Sequence, residues 1–228
     1  MMKSDNPFNF FEKIYCINLQ TRPDRWEEVQ VQFDKIGILD RVERLNAVTK
    51  DEAIKISNVK LKKSGDIQGQ AAGSLSHYTC LKKSIECGVK NYLVFEDDVY
   101  FENYNANELT QSLEELPSDW KMFMMGYNGW NRKRLDNFST RLNTADAFGL
   151  AHAYAVNNVF YEQYKSEFEK RVIRGETHRV RWFKRIEYFL SHTCDNFYLM
   201  KNKFAFQEVG YSDIAQMEID RETDTISE

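Results

Sequence analysis

The sequence predicts an α/β domain built on a mostly parallel central sheet flanked by helices. Three observations carry this expectation. Short apolar runs suited to buried strands recur along the chain, at Ile14 to Leu19, Tyr92 to Phe95 and Lys121 to Met125. Helical apolar spacings separate them, and strands alternating with helices in this way make parallel sheets. The chain has 228 residues, 42% of them hydrophobic, with no internal repeat or low-complexity linker, which suffices for one sizeable core. A single domain over residues 1–214 is expected, followed by a tail over 215–228.

The elements follow in order. After the first strand, Thr21 and Asp24 have capping-box spacing and Pro23 suits a first helical turn. Trp26, Val29, Phe33 and Ile36 then share a helix face, and Gly37 is a natural stop. A second strand is expected around Val42 to Leu45, whereas residues 49–70 are polar, Lys-rich and without a clear period. Ser74 could cap a helix lined by Leu75, Tyr78, Leu81 and Ile85, ending at Gly88. The strand Tyr92 to Phe95 comes next, then a helix over Ala106 to Leu116, a break at Pro117 and the strand Lys121 to Met125. Further along, "AFGLAHAYAVNN" reads as a strand, Val159 to Phe168 and residues 182–192 as helices, and Phe197 to Met200 as a last short strand.

Charge and composition exclude several functions. A net charge of −4 gives no electrostatic basis for a nucleic-acid partner. Residues 215–228 carry five acidic side chains against one Arg, the pattern of a solvated, poorly ordered end. Arg171 to Arg185 holds six basic residues and one Glu around Trp182 and Phe183. It reads as a solvated helix pair, or else as a collar for an anionic acceptor or membrane surface. Cys16, Cys80, Cys87 and Cys194 lack metal-ligand spacing, so buried reduced thiols are expected. The N-terminus has no apolar h-region and no stretch is long enough for a membrane span, so a cytoplasmic location is expected.

The stretch "NYLVFEDDVYF" runs a buried strand directly into Glu96, Asp97 and Asp98. With 35 acidic residues in 228, about five adjacent acidic pairs and roughly one triplet arise by chance, so composition alone does not single this one out. Placement does, because open parallel sheets bind ligands beyond the carboxyl ends of their strands. Hard oxygen donors without His or Cys suit Mg²⁺ or Mn²⁺, and a cation would relieve the mutual repulsion. A strand-end turn facing water is the competing reading.

In this order, "YCINLQTRPDRWEEV", "AAGSLSHYTCLKKSIECGVKNYLVFEDDV", "WKMFMMGYN", "GLAHAYAV" and "FQEVGYSDI" resemble the blocks of glycosyltransferase family 25, which includes lipooligosaccharide and collagen galactosyltransferases. The likeness spans most of positions 13 to 214, with Gly73–Ser74 where the family commonly has Gly-Cys. The resemblance implies a GT-A-like fold, a UDP-sugar donor with galactose the commonest sugar, Mn²⁺ or Mg²⁺, and transfer with inversion. It also implies a glycan, glycolipid or glycoprotein acceptor, with peripheral membrane contact open. Carried over by position, Glu96, Asp97 and Asp98 match the acidic metal motif, with Asp98 and Asp97 as metal ligands. Asn18, Arg22 and Arg25 would lie near the nucleotide, and Ser76 and His77 in the donor site. His152, Tyr154, Asp195, Gln207 and Asp213 would line the acceptor side.

Inverting transfer needs charge neutralised on a departing diphosphate and a carboxylate to take the acceptor's proton. Asp195 in "TCDNFYL" and Asp213 in "GYSDI" are the candidate bases, with Asp146 a third; their ordinary roles would be a cap or an Asx-turn. Arg22 and Arg25 in a first helical turn oppose the helix dipole, which favours an anionic partner there. "GYNGWNRKR", positions 126 to 134, reads as an aromatic loop able to touch acceptor or donor. The alternative to an enzyme is a catalytically silent module on the same fold that binds a nucleotide sugar or glycan. A phosphohydrolase or nucleotidyltransferase using the same carboxylates is a weaker third.

Overall fold

The computed structural model describes residues 6–56, 65–128, 135–177, 185–208, 210–212 and 217–219. Its centre is an eight-stranded sheet of order β2-β1-β3-β8-β5-β9-β7-β6. The strands are β1 (Lys13–Asn18), β2 (Val42–Asn46), β3 (Asn91–Glu96), β5 (Met122–Asn128), β6 (Leu135–Asn137), β7 (Leu142–Ala145), β8 (Gly149–Asn157) and β9 (Phe197–Met200). The pairs β1–β2, β1–β3 and β5–β9 are parallel, and only β7 and β8 run against the rest of this sheet. The mostly parallel α/β expectation is met. A two-stranded ribbon, β4 (Val99–Phe101) with β10 (Ala205–Gln207), and an antiparallel pair, β11 (Gly210–Ser212) with β12 (Met217–Ile219), form separate small sheets. The stretch expected as a tail therefore contributes β12; the remainder of 215–228 lies outside the described residues.

The central strands are buried on both faces, and their alternation divides the core in two. Tyr92 and Val94 of β3, Met122 and Met124 of β5, and Tyr154 and Val156 of β8 face one cluster with Leu75, Tyr78, Tyr164 and Phe189. Leu93, Phe95, Phe123, Met125, Ala153 and Ala155 face the other, with Val29, Phe33, Leu109 and Phe204. Helices α3 (Gly65–Cys87), α5 (Tyr161–Phe168) and α6 (Ile186–Ser191) contribute to the first cluster. Helices α1 (Pro23–Lys35) and α4 (Ala106–Glu114) contribute to the second, while α2 (Lys50–Ile56) packs on α3.

Several local expectations change. Arg22, not Thr21, is the N-cap of α1, and no side chain caps it; the helix does end before Gly37 at φ +71°, where glycine meets no Cβ penalty. Helix α3 begins at Gly65, so Ser74 lies buried inside it and caps nothing. Small residues defeat the periodicity there. The hydroxyls of Ser76, Thr79 and Ser84 donate to the carbonyls four residues earlier, which lets polar residues stay helical in the interior. The thiols of Cys16, Cys80 and Cys194 are buried as expected, but Cys87 is exposed; none forms a disulfide. Among the described residues no helix is long and apolar enough to cross a membrane.

Candidate active site at the carboxyl edge of the sheet

Strands β1, β2 and β3 end side by side at Asn18, Asn46 and Glu96, since their register pairs Asn18 with Asn46 and Ile17 with Glu96. The chain leaves β3 through a tight turn at Asp97–Asp98 and re-forms as β4, so the three carboxylates occupy the corner between sheet and ribbon. What holds them together is a set of donors drawn from distant parts of the chain.

Asp97 accepts from Asn18 Nδ2 at 2.5 Å and from Arg25 Nη1 at 3.1 Å. Arg25 also lies 3.9 Å from Asp98 Oδ2, so one guanidinium answers two adjacent charges. Asn18 is itself oriented by Arg44 of β2, which donates to its Oδ1, while Arg44 stacks over Trp26 at 5.2 Å. Glu96 Oε1 is bonded to His77 Nε2 at 3.0 Å, and His77 Nδ1 to the Tyr154 hydroxyl at 2.9 Å. A carboxylate only accepts, so Nε2 carries a proton, and in the neutral imidazole Nδ1 accepts from the Tyr154 hydroxyl. Burial pushes the Tyr154 hydroxyl well above its ordinary value, which keeps it a donor. Gln207 Nε2 closes the network, donating to Glu96 Oε2 at 2.7 Å and to Asp98 Oδ1 at 3.0 Å.

The compensation is incomplete at Asp97. Burial and then the charge of Asp98 raise its pKa to about 6, against the lowering effects of Asn18 and Arg25. Glu208, next to Gln207, is likewise raised by burial and by Glu28 and Asp98. This corner therefore carries negative charge not fully relieved by the protein's own cations. Among the described residues no three His, Cys, Asp or Glu side chains form a group able to hold a metal ion by themselves.

The structure thus brings together Asn18, Arg25, His77, Glu96, Asp97 and Asp98. Other expected residues sit elsewhere. The Arg22 side chain pairs with Asp24 at 2.8 Å, and its carbonyl accepts from Asn18 Nδ2. Ser76 accepts from the Val48 amide and donates to the Ala72 carbonyl, pinning the loop after β2 onto α3. Asp195 precedes β9, and β9 parallels β5, so it lies at the amino edge, across the sheet from the carboxylate corner. There it pairs with Lys121 at 2.6 Å, its side chain 77% exposed. Asp146 follows β7, whose reversed direction puts it at that same edge. Asp213 lies outside the described residues, as do 129–134 of the aromatic loop and 178–184 of the basic stretch. In the described part of that stretch, Arg171, Arg174 and Arg185 pair with Glu167, Glu176 and Glu187.

Two residues expected on the acceptor side have other roles. His152 is buried and bonded to the Ala205 carbonyl, and Gln207 serves the carboxylates directly. Arg44 went unforeseen in the sequence. Its only local signal was a cation two residues from the end of a strand parallel to β1.

Similarity to known proteins agrees with the earlier resemblance. A family profile described as "Glycosyltransferase family 25 (LPS biosynthesis protein)" matches residues 11–211. The chain is 30% identical over 136 residues to a "Glycosyltransferase 25 family member" of Aedes aegypti, covering 54% of this chain and 21% of that protein. It is 29% identical over 131 residues to the "Inactive glycosyltransferase 25 family member 3" of Homo sapiens, covering 51% of this chain and 22% of that protein. These alignments span about a fifth of the length of the curated relatives. A solved glycosyltransferase involved in glycosylation of the major capsid of PBCV-1 superposes with TM-score 0.49 at 10% identity, covering 90% of this chain and 95% of that one.

Proposed function

The chain belongs to glycosyltransferase family 25, and from that premise we propose that it transfers a sugar, galactose first among candidates, from a UDP-sugar to a hydroxyl of a glycan, glycolipid or glycoprotein, with inversion. The observation that carries this reading is the Glu96-Asp97-Asp98 corner at the carboxyl edge of the sheet, wired to Arg25, His77 and Gln207. A silent strand-end turn would need no such set of converging donors.

The donor set fits Mn²⁺ or Mg²⁺. Such ions are commonly held by one or two carboxylates together with substrate phosphates. Asp98, the last of the three carboxylates off β3, is assigned as the ligand, with Asp97 beside it in the turn. Bound there, the cation would supply charge neutralisation for the departing diphosphate. The protein's own part is to hold Asp97 and Asp98 beside the Arg25 guanidinium and to keep Glu96 fixed through His77. In the transfer itself the acceptor oxygen bonds to the anomeric carbon as the bond to the UDP oxygen breaks, the electron pair leaving with UDP. A carboxylate takes the acceptor's proton. The position of Asp195 removes it from this role at the carboxylate corner, and Asp213 is assigned the role on sequence alone.

A second reading has a specific support, because relatives from Homo sapiens and Bos taurus carry names that include "inactive". On that reading the corner binds a nucleotide sugar without turning it over. Two measurements separate the readings. UDP at about a hundred times its dissociation constant should add roughly 2.7 kcal/mol of stability, seen as a melting shift that requires Mn²⁺ and vanishes in Asp98→Ala. Release of UDP from a panel of UDP-sugars then marks an enzyme, and binding without release marks the silent module. Absence of any shift with UDP and Mn²⁺ sinks both.

A further inference from the structure

We propose that Gln207 is the positioning residue that sets Asp98 against Glu96, an inference that rests on the reading above in taking Asp98 to face the diphosphate. One amide nitrogen donates to two carboxylates, Glu96 at the end of β3 and Asp98 across the turn, at 2.7 and 3.0 Å. Charge-assisted bonds of this kind are short and directional, so a single side chain spaces two like charges that otherwise repel. The amide cannot be reversed, because its oxygen would then face both carboxylates. That oxygen, Oε1, is buried with no hydrogen-bond partner among the described residues, a cost accepted in exchange for aiming the nitrogen.

The main chain secures the same geometry. Gln207 opposes Val99 in the ribbon, and the Glu208 amide donates to the Asp98 carbonyl at 2.8 Å. Strand β10 is in turn keyed to the main sheet by His152, whose Nε2 donates to the Ala205 carbonyl at 3.1 Å. The imidazole fills the space a side chain at position 126 would take. A Cβ on Gly126 would overlap His152 Nε2 and come within 2.6 Å of the Ala205 oxygen. This notch falls where the pairing of β5 with β8 shifts register. The position of β10, and with it the reach of Gln207, is thereby referred to the rigid centre of the sheet.

Calorimetric titration of the full chain with Mn²⁺ and UDP, for wild type and Gln207→Met, tests this beside urea unfolding of both in wild-type and Asp98→Asn backgrounds. Gln207→Met keeps the length and apolar stem of the side chain but removes the donor. The dissociation constant is expected to rise about tenfold, the size typical of losing a residue that orients a ligand carboxylate. The unfolding constant is expected to rise about tenfold with Asp98 present and by clearly less in Asp98→Asn, where the bond to Glu96 is still lost but the charge-assisted bond to Asp98 is already weakened. An equal unfolding effect in both backgrounds, or unchanged affinity in a protein that binds, overturns the proposal. If wild type binds no UDP with Mn²⁺, the functional reading fails, while the dependence of the unfolding effect on Asp98 still upholds or overturns the positioning role. Should Gln207→Met fail to fold, Gln207→Lys keeps an N–H donor and adds a charge. It is expected to fold and to lose more than tenfold in affinity as its ammonium takes the cation's place, and full retention of affinity overturns the proposal.

Discussion

Asp97 follows β3 at the carboxyl edge of the sheet, and Asp195 precedes β9 at the amino edge. Both were candidates for chemistry by residue type, and both have a cation beside them, Arg25 at 3.1 Å and Lys121 at 2.6 Å. Their environments differ completely. The Asp97 side chain is 12% exposed and shares its cation with Asp98, whereas that of Asp195 is 77% exposed. Burial and a like charge push Asp97 up to about 6; the hydrogen bond from Lys121 holds Asp195 below the usual carboxylate range. The lesson is that the partner of a carboxylate matters less than whether water and neighbouring charges compete for it. The buried corner keeps a like-charge repulsion that the surface pair does not have.

The largest expected effect is at Asp98. Asp98→Ala should abolish the Mn²⁺-dependent melting shift with UDP and lower release of UDP from a donor by 100-fold or more, on the order of losing one charge-stabilising group. Asp195→Asn, measured alongside, should leave both within about twofold; an equal loss in the two variants would erase the distinction between the edges. Next comes Arg25→Met, which leaves Asp97 and Asp98 facing each other without their shared cation. Urea unfolding at neutral pH should show a loss of about 3–4 kcal/mol, as for breaking other largely buried ion pairs.

The third contrast is in pH. Because the folded-state pKa of Asp97 is raised above its unfolded value near 3.9, the native state binds the extra proton between about pH 4 and pH 6. Stability contributed by this group therefore falls as pH rises through that window, by about 3 kcal/mol for a shift of roughly two units. Asp195 has the opposite sign. Its depressed pKa gives a contribution present above about pH 4 and lost as pH falls further. Unfolding free energies from pH 4 to 7 should fall more steeply in wild type than in Asp97→Asn, where the raised Glu208 still contributes a fall; the same slope in both would mean that Asp97 contributes none of it. The smallest effect is Lys121→Met, which removes the exposed pair with Asp195. A change below about 1 kcal/mol is expected, fading in high salt, and a larger one would show that the amino edge is more than a solvated surface.

Parts of the carboxylate corner were legible in the chain. Asn18, Arg25, His77 and the three acids stand within blocks whose order resembles one family, and the apolar run before Glu96 reads directly as a strand buried on both faces. The need for a positive partner followed from placing like charges together, and Arg25 meets it. Less was legible in the second half. Strands of three residues, such as β4 and β10, fall below the length at which alternation stands out, so the ribbon carrying Gln207 went unseen. Helix α3 starts nine residues before Ser74, and a serine buried inside a helix looks like a cap when only its neighbours in sequence are known.

By itself the sequence determined the α/β class, the family, the buried strand and the acids at its end. These follow from residue types and short spacings, which act within a turn or two of the chain. The tertiary structure alone decided that β8 runs against its neighbours, that Asp195 lies at the far edge from Asp98, and that Gln207, 109 positions beyond Asp98, completes its surroundings. Strand direction and order are set by pairing between distant segments. A carboxylate just before a strand and one just after it look alike in the chain until that pairing places them at opposite ends of the sheet.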